Sequence, residues 1–211
     1  MLLHVRVRLP DRPGSLGRVT WLLGELGVDI HQVVVLGRTG GRAVDDFTID
    51  LPGALSGNRV ATALEELPGV SVEAIWPAAV PGAPWDITVL GQVAANPDRG
   101  LAILVDAAPR LFAAEWAALV TGSGDVAYTS VAAPRQVRVP QPLRARVYRT
   151  EEGHRCAVAP FGQRRPPQLC LVVARTDAPD FHTAELDRLI EVVNAAYEVV
   201  ADRIDELVLP G

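Results

Sequence analysis

Residues 3–16 read Leu3-His4-Val5-Arg6-Val7-Arg8-Leu9-Pro10-Asp11-Arg12-Pro13-Gly14-Ser15-Leu16, and the two halves of this stretch obey different rules. Leu3, Val5, Val7 and Leu9 alternate with His4, Arg6 and Arg8. A period of two places apolar side chains on one face of a strand and polar ones on the other, solvated face. Asp11 to Ser15 breaks the alternation with turn-forming residues. From there Leu16, Val19, Leu22, Leu23 and Leu26 recur at helical spacing until Gly27 supplies a helix end. The stretch therefore predicts a half-buried strand, a tight turn and an amphipathic helix packed back on that strand.

Two further strands follow, Val28 to Leu36 and Ala43 to Leu51. They are joined through residues 37–42, whose glycines tolerate the positive φ of a hairpin. A second helix carries Val60, Leu64 and Leu67 on one face and ends near Pro68-Gly69. Beyond it Val70, Val72 and Ala74 alternate with Ser71, Glu73 and Ile75. The order β-α-β-β-α-β predicts a ferredoxin-like domain over residues 1–76. The Pro-rich residues 77–84 continue neither a helix nor a central strand, so they form the expected linker, with a second domain over 85–211.

In that second part Trp85 to Ala95 carries no decisive pattern, and Leu101 to Phe112 reads as a helix interrupted by Pro109. Trp116 to Thr121 and Val126 to Val131 flank Gly122-Ser123-Gly124-Asp125 as a hairpin. Residues 133–154, rich in Arg and Pro, carry no assignable element. Cys156 to Pro160 and Leu169 to Arg175 read as strands around a Pro-rich loop. A long helix closes the chain, with Thr183 as expected N-cap and Glu185 and Asp187 near its positive end. Leu186, Leu189, Ile190, Val193, Ala196, Tyr197, Val200 and Ile204 share one face of it. The fold class is α+β, a ferredoxin-like domain followed by an antiparallel sheet flanked by helices.

Composition narrows the function. The 211 residues are 49% hydrophobic, enough for two modest cores, and the apolar runs break well short of the roughly 18 residues of a membrane span. All 20 basic residues are Arg, which removes the P-loop lysine, Schiff-base catalysis and pyridoxal phosphate attachment together. A net charge of −5 with no basic stripe argues against nucleic acid. Two cysteines in a chain of this size fit a reducing compartment, so a cytoplasmic protein with free thiols is expected.

Other candidates weigh less. His154, Cys156 and Cys170 offer three metal ligands but no fourth, so core thiols are expected and no metal. Ser123 lacks G-x-S-x-G spacing and falls in a turn. Gly37, Gly40 and Gly41 join two strands, which fails the dinucleotide pattern. Arg6, Arg8, Arg144, Arg146 and Arg149 are able to fork onto an anion, though solvated surface is their default.

Leu9-Pro10-Asp11-Arg12-Pro13-Gly14-Ser15-Leu16, followed by Leu26-Gly27-Val28-Asp29-Ile30, resembles the signature of ACT domains, small regulatory modules of amino-acid metabolism, over about residues 1–76. The resemblance implies paired domains holding a small effector, commonly an amino acid, against the first loop. It implicates Asp11, Pro13, Gly14, Ser15, Leu16 and Asp29. Independently of it, N–H groups of Gly14, Ser15 and Leu16 at a helix N-terminus suit a carboxylate, and a nearby Asp suits an ammonium. Asp29 stands where many amino-acid-binding members carry Asn, which removes a donor and adds a negative charge.

The C-terminal part is similar to GAF domains through Cys156 to Pro160, Leu169 to Ala174 and Phe181 to Leu186, over roughly 98–205. The expectation is a cytoplasmic homodimeric sensor. An amino-acid effector binds between ACT domains and the GAF-like domain signals to a protein partner, with no cofactor and no catalytic residues. Two alternatives stand beside it. One is an enzyme whose site, in the C-terminal domain, gathers groups such as His154 or His182 under ACT control. The other is an interaction module that binds no metabolite.

Overall fold

The computed structural model describes residues 1–53, 55–78, 85–162 and 169–208. Residues 79–84 of the expected linker and 163–168 of the expected Pro-rich loop lie outside them. The chain divides into two compact units, Met1–Pro81 with Asp177–Pro179, and Gly82–Thr176 with Asp180–Gly211.

The first unit runs β1 (Leu2–Pro10), α1 (Ser15–Glu25), β2 (Asp29–Thr39), β3 (Arg42–Asp50), α2 (Gly57–Glu65) and β4 (Ser71–Pro77). Its sheet has the order β2-β3-β1-β4, with every neighbouring pair antiparallel. The alternation in β1 does what its period requires: Leu3, Val5, Val7 and Leu9 are buried with Phe47 and Ile49 of β3, Val19 and Leu23 of α1, and Val60 and Leu64 of α2. Each such side chain contributes about 1.5–3 kcal/mol of burial. Gly27, at φ 71°, ends α1: its N–H donates to the Gly24 carbonyl at 2.9 Å and Val28 N–H donates to the Leu23 carbonyl at 3.0 Å.

Two expectations change here. The strands β2 and β3 run further than their apolar residues, to Thr39 and from Arg42, so the hairpin is a two-residue turn in which Gly40 and Gly41 have φ of 60° and 72°. That is the turn whose twist matches paired strands. In β4 the expected face was Val70, Val72 and Ala74. A register shift between Arg6 and Val7 puts Val72 opposite Val7 but Ile75 opposite Val5, so Ile75 packs on the core and Ala74 lies opposite Arg6. One bulged residue exchanges the two faces of the strand beyond it.

The second unit comprises α3 (Trp85–Ala95), a 3-10 turn (Pro97–Arg99), α4 (Gly100–Leu111), β5 (Trp116–Thr121), β6 (Val126–Thr129), β7 (Arg146–Arg149), β8 (Arg155–Pro160), β9 (Leu169–Arg175) and α5 (Thr183–Val208). Its antiparallel sheet has the order β6-β5-β9-β8-β7. Leu169, Leu171 and Val173 of β9 face the helices with Leu104, Leu189, Val193 and Ala196, whereas Cys170, Val172 and Ala174 face Val137 and Leu143. Both faces of the central strands are covered, which is why they read as unbroken apolar runs instead of alternating.

Pro109 does not break α4. It sits in the last turn, and Phe112 N–H still donates to the Ala108 carbonyl at 3.0 Å. Residues 146–149, unassigned from sequence, form the edge strand β7, and Trp85–Ala95 is helical with Val89 and Val93 buried one turn apart. The cap of α5 is His182, not Thr183. The His182 carbonyl accepts from Leu186 N–H at 3.1 Å, its Nδ1 accepts from Ala184 N–H at 3.2 Å, and Glu185 reaches back to accept from His182 N–H at 2.7 Å. Glu185 thus closes the return half of a capping box, while the imidazole caps the N–H two residues on. Among the described residues, no helix is long and apolar enough to cross a membrane.

Candidate ligand site

Antiparallel pairing brings the end of β1 beside the β2–β3 hairpin, where Pro10 lies opposite Arg42. The following loop is tied there by Asp11 N–H, which donates to the Gly41 carbonyl at 2.9 Å, while the Asp11 carboxylate stands 3.7 Å from Arg38 Nε. Gly14 turns the chain into α1 at φ 84°, a left-handed conformation, and caps the helix with no side-chain hydrogen bond. The first turn therefore keeps unmet donors, as helix N-termini do.

The three amides expected to be open are reduced to two. Ser15 N–H donates to the Arg12 carbonyl at 3.1 Å, whereas those of Gly14 and Leu16 have no backbone acceptor among the described residues. Ser15 is buried and its hydroxyl accepts from Arg18 at 3.4 Å; Pro13 and Leu16 are exposed beside it. Asp11, Pro13, Gly14, Ser15 and Leu16 thus share one loop.

Asp29 does not join them within the chain. It opens β2 opposite Asp50, which pairs in turn with Leu2, so it stands at the start of β1 while the loop follows its end. Eight strand steps, roughly 27 Å, separate the two ends. The cause is topological: β1 and β2 both pair antiparallel with β3, so they run in the same direction and their starts lie together.

Sequence reasoning missed Asp45. It lies on β3 opposite Val7 and Val35, on the helix-facing side with Phe47 and Ile49, and is 2% exposed with Oδ1 unpartnered among the described residues. Burial raises its carboxyl pKa; Arg38 opposes the rise, and Asp46 and Asp11 add to it. The signal was an acid at an inward position of the run Ala43, Asp45, Phe47, Ile49.

The remaining candidates fall elsewhere. Arg6 is not solvated: it is 2% exposed and forks onto Asp46 through two 2.7 Å bonds, with Trp76 5.4 Å from its guanidinium. Arg8 pairs with Glu73 at the surface, and Arg149 forks onto Asp180. The ladder sets Cys156 opposite Ala174 and Cys170 opposite Pro160, and burial pushes their thiols up to about 11 and about 12. No group of three metal-binding side chains occurs among the described residues. Ser123 donates to Asp125 at 2.8 Å within its turn, and Thr121 lies 2.7 Å from it.

The pattern of elements, the left-handed Gly14 and the loop it turns coincide with a family match over residues 4–69. Residues 4–69 form an ACT domain. No curated protein matches the chain. Among solved structures, a formyltetrahydrofolate deformylase from Pseudomonas putida KT2440 is 16% identical with a TM-score of 0.30, over 46% of this chain and 39% of that one. The chain thus spans well under half of the deformylase. An unknown protein from Galdieria sulphuraria is 16% identical with a TM-score of 0.34 over 97% and 91%. The regulatory subunit of aspartate kinase from Thermus thermophilus, in its ligand-free form, is 13% identical with a TM-score of 0.30 over 94% and 95%. In this ACT domain the first loop, Asp45 and the Thr39 end of the exposed edge strand β2 lie toward the hairpin end of the sheet, and Asp29, which opens β2, at the other.

Proposed function

We propose that the chain is a regulatory sensor of a small zwitterion, an amino acid being the first candidate, and not an enzyme. The carrying observation is the first loop of the ACT domain: among the described residues, two N–H groups at the positive end of α1, next to the carboxylate of Asp11, have no backbone acceptor, and Asp45, whose Oδ1 is unpartnered, lies within electrostatic reach of Asp11. The amides suit a carboxylate and the acids an ammonium.

Asp29 enters this site from a second copy. β2 is an edge strand with Val34 and Val35 40% and 44% exposed. Antiparallel addition of two β2 edges centred on Val34 sets Asp29 of one copy opposite Thr39 of the other, at the hairpin end where the first loop lies. The effector then sits between copies and favours the dimer. The second unit, read as GAF-like, passes the change to a protein partner in the cytoplasm.

Thermal unfolding across a panel of free amino acids tests this reading. A binder at a hundredfold its Kd stabilises the chain by about 2.7 kcal/mol. Gly14→Val should abolish the shift. A Cβ at Gly14 meets nothing within 4 Å, so the variant acts through the left-handed φ and not by filling the loop. A panel without any concentration-dependent shift would refute an amino-acid effector.

A further inference from the structure

The second unit holds a cavity of about 130 Å³ on the side of its sheet away from the helices. Its walls include Trp116, Gln136, Arg138, Thr150, Glu152 and His154. Trp116 is 3% exposed and its indole Nε1–H is buried with no acceptor among the described residues. An indole nitrogen only donates, and a buried donor without an acceptor is costly.

The proton inventory fixes the opposite chemistry on His154, whose ring meets Trp116 edge-on at 5.5 Å. The Thr176 hydroxyl has one proton and gives it to Glu115 at 2.9 Å. Facing His154 Nδ1 at 3.1 Å, that oxygen can only accept, so Nδ1 carries a hydrogen and Nε2 is the one ring nitrogen able to offer a lone pair. Glu152 adds a carboxylate held below the usual range by its own backbone N–H and then by the Thr150 hydroxyl. Arg138 adds a cation on the same wall.

We propose that this cavity is a ligand site for a small carboxylate bearing a hydroxyl or ammonium group, of roughly six non-hydrogen atoms. The carboxylate accepts from Trp116 Nε1–H and Arg138, and the hydroxyl or ammonium donates to His154 Nε2 and Glu152. An apolar occupant leaves the indole unpaired, and a bare cation meets Arg138.

The test is ¹H–¹⁵N NMR of the full chain, with the Trp116 indole signal among the four tryptophans assigned through Trp116→Phe. L-lactate and L-alanine are titrated as probes, with propionate as the carboxylate that lacks a donor. Lactate or alanine should move the Trp116 signal saturably, and whichever does so tells hydroxyl from ammonium. Propionate should move it far less at equal concentration. Arg138→Gln, at an exposed side chain, and His154→Phe should each weaken the response at least tenfold while the other indole signals stay in place. The same titration in the Gly14→Val chain should be unchanged, so failure of the first-loop reading leaves this site standing. A Trp116 signal that ignores all three acids in the folded chain overturns the proposal and leaves a cavity holding water alone. An equal response to propionate overturns its acceptor half.

Discussion

Asp45 shows what a single residue costs and what it offers. Its carboxyl faces the core of the ACT domain with one oxygen unmet, and burial raises its pKa above the ordinary 3.8. A carboxyl whose folded pKa is raised binds its proton more tightly in the folded state, so its contribution is most favourable below the unfolded value and is lost as pH rises through the folded one. Asp45→Asn should therefore stabilise the chain at pH 7 in the absence of effector, by on the order of 1 kcal/mol, read as a higher melting temperature. The gain over wild type should shrink toward zero as pH falls below 4. An Asp45→Asn chain less stable than wild type at pH 7 would mean that the carboxylate is already satisfied. The sequence displayed this residue openly, as an acid in an inward register, but a pattern read for its apolar members passes over the exception. Gly14, by contrast, was legible because a turn into a helix requires a residue that tolerates φ 84°.

Elements add constraints that residue patterns do not carry. The junction of β9 and α5 depends on Arg175, fully buried, stacked 3.9 Å over Phe181, and held by both oxygens of Glu185 at 3.0 and 3.1 Å and by the Asp180 carbonyl at 3.0 Å. Glu185 also closes the α5 cap by accepting from His182 N–H. Glu185→Gln keeps an acceptor for the cap but removes the carboxylate onto which the buried Arg175 guanidinium forks, and should cost about 3–5 kcal/mol by urea unfolding. Asp180→Asn, at the exposed pair with Arg149, should cost less than about 1 kcal/mol. Equal losses in the two variants would show that Arg175 is not the keystone of this junction. The helix face and Glu185 were readable from spacing. Its capping residue was not, because an imidazole is an uncommon cap and Thr183 was the expected oxygen. The face reversal in β4 depends on a bulge against β1 that only pairing reveals, and β7 is four residues long inside an Arg- and Pro-rich stretch.

At the scale of the whole molecule, the six expected ligand residues separate because strand order is not written in any local window. In the proposed pairing of β2 edges Asp29 meets the first loop only across two copies, and a composite site of that kind predicts a distinctive arithmetic. Neither Gly14→Val nor Asp29→Ala alone should respond to an effector that stabilises wild type. In a dimer of one Gly14→Val chain with one Asp29→Ala chain, one site combines both lesions and the other combines the intact loop of the Asp29→Ala chain with the intact Asp29 of its partner. Mixing the two inactive variants, with subunit exchange, should therefore restore an effector-dependent thermal shift, carried by about half of the dimers at random pairing and through one site in each. A site contained within single chains gives the opposite result, since every chain in the mixture then carries a defect. Val34→Pro, which places a ring where the β2 edges would meet, should abolish both dimer formation, followed by sedimentation, and the restored shift. Restoration that survives in a monomeric Val34→Pro mixture would transfer the role of Asp29 to some contact other than the one between β2 edges.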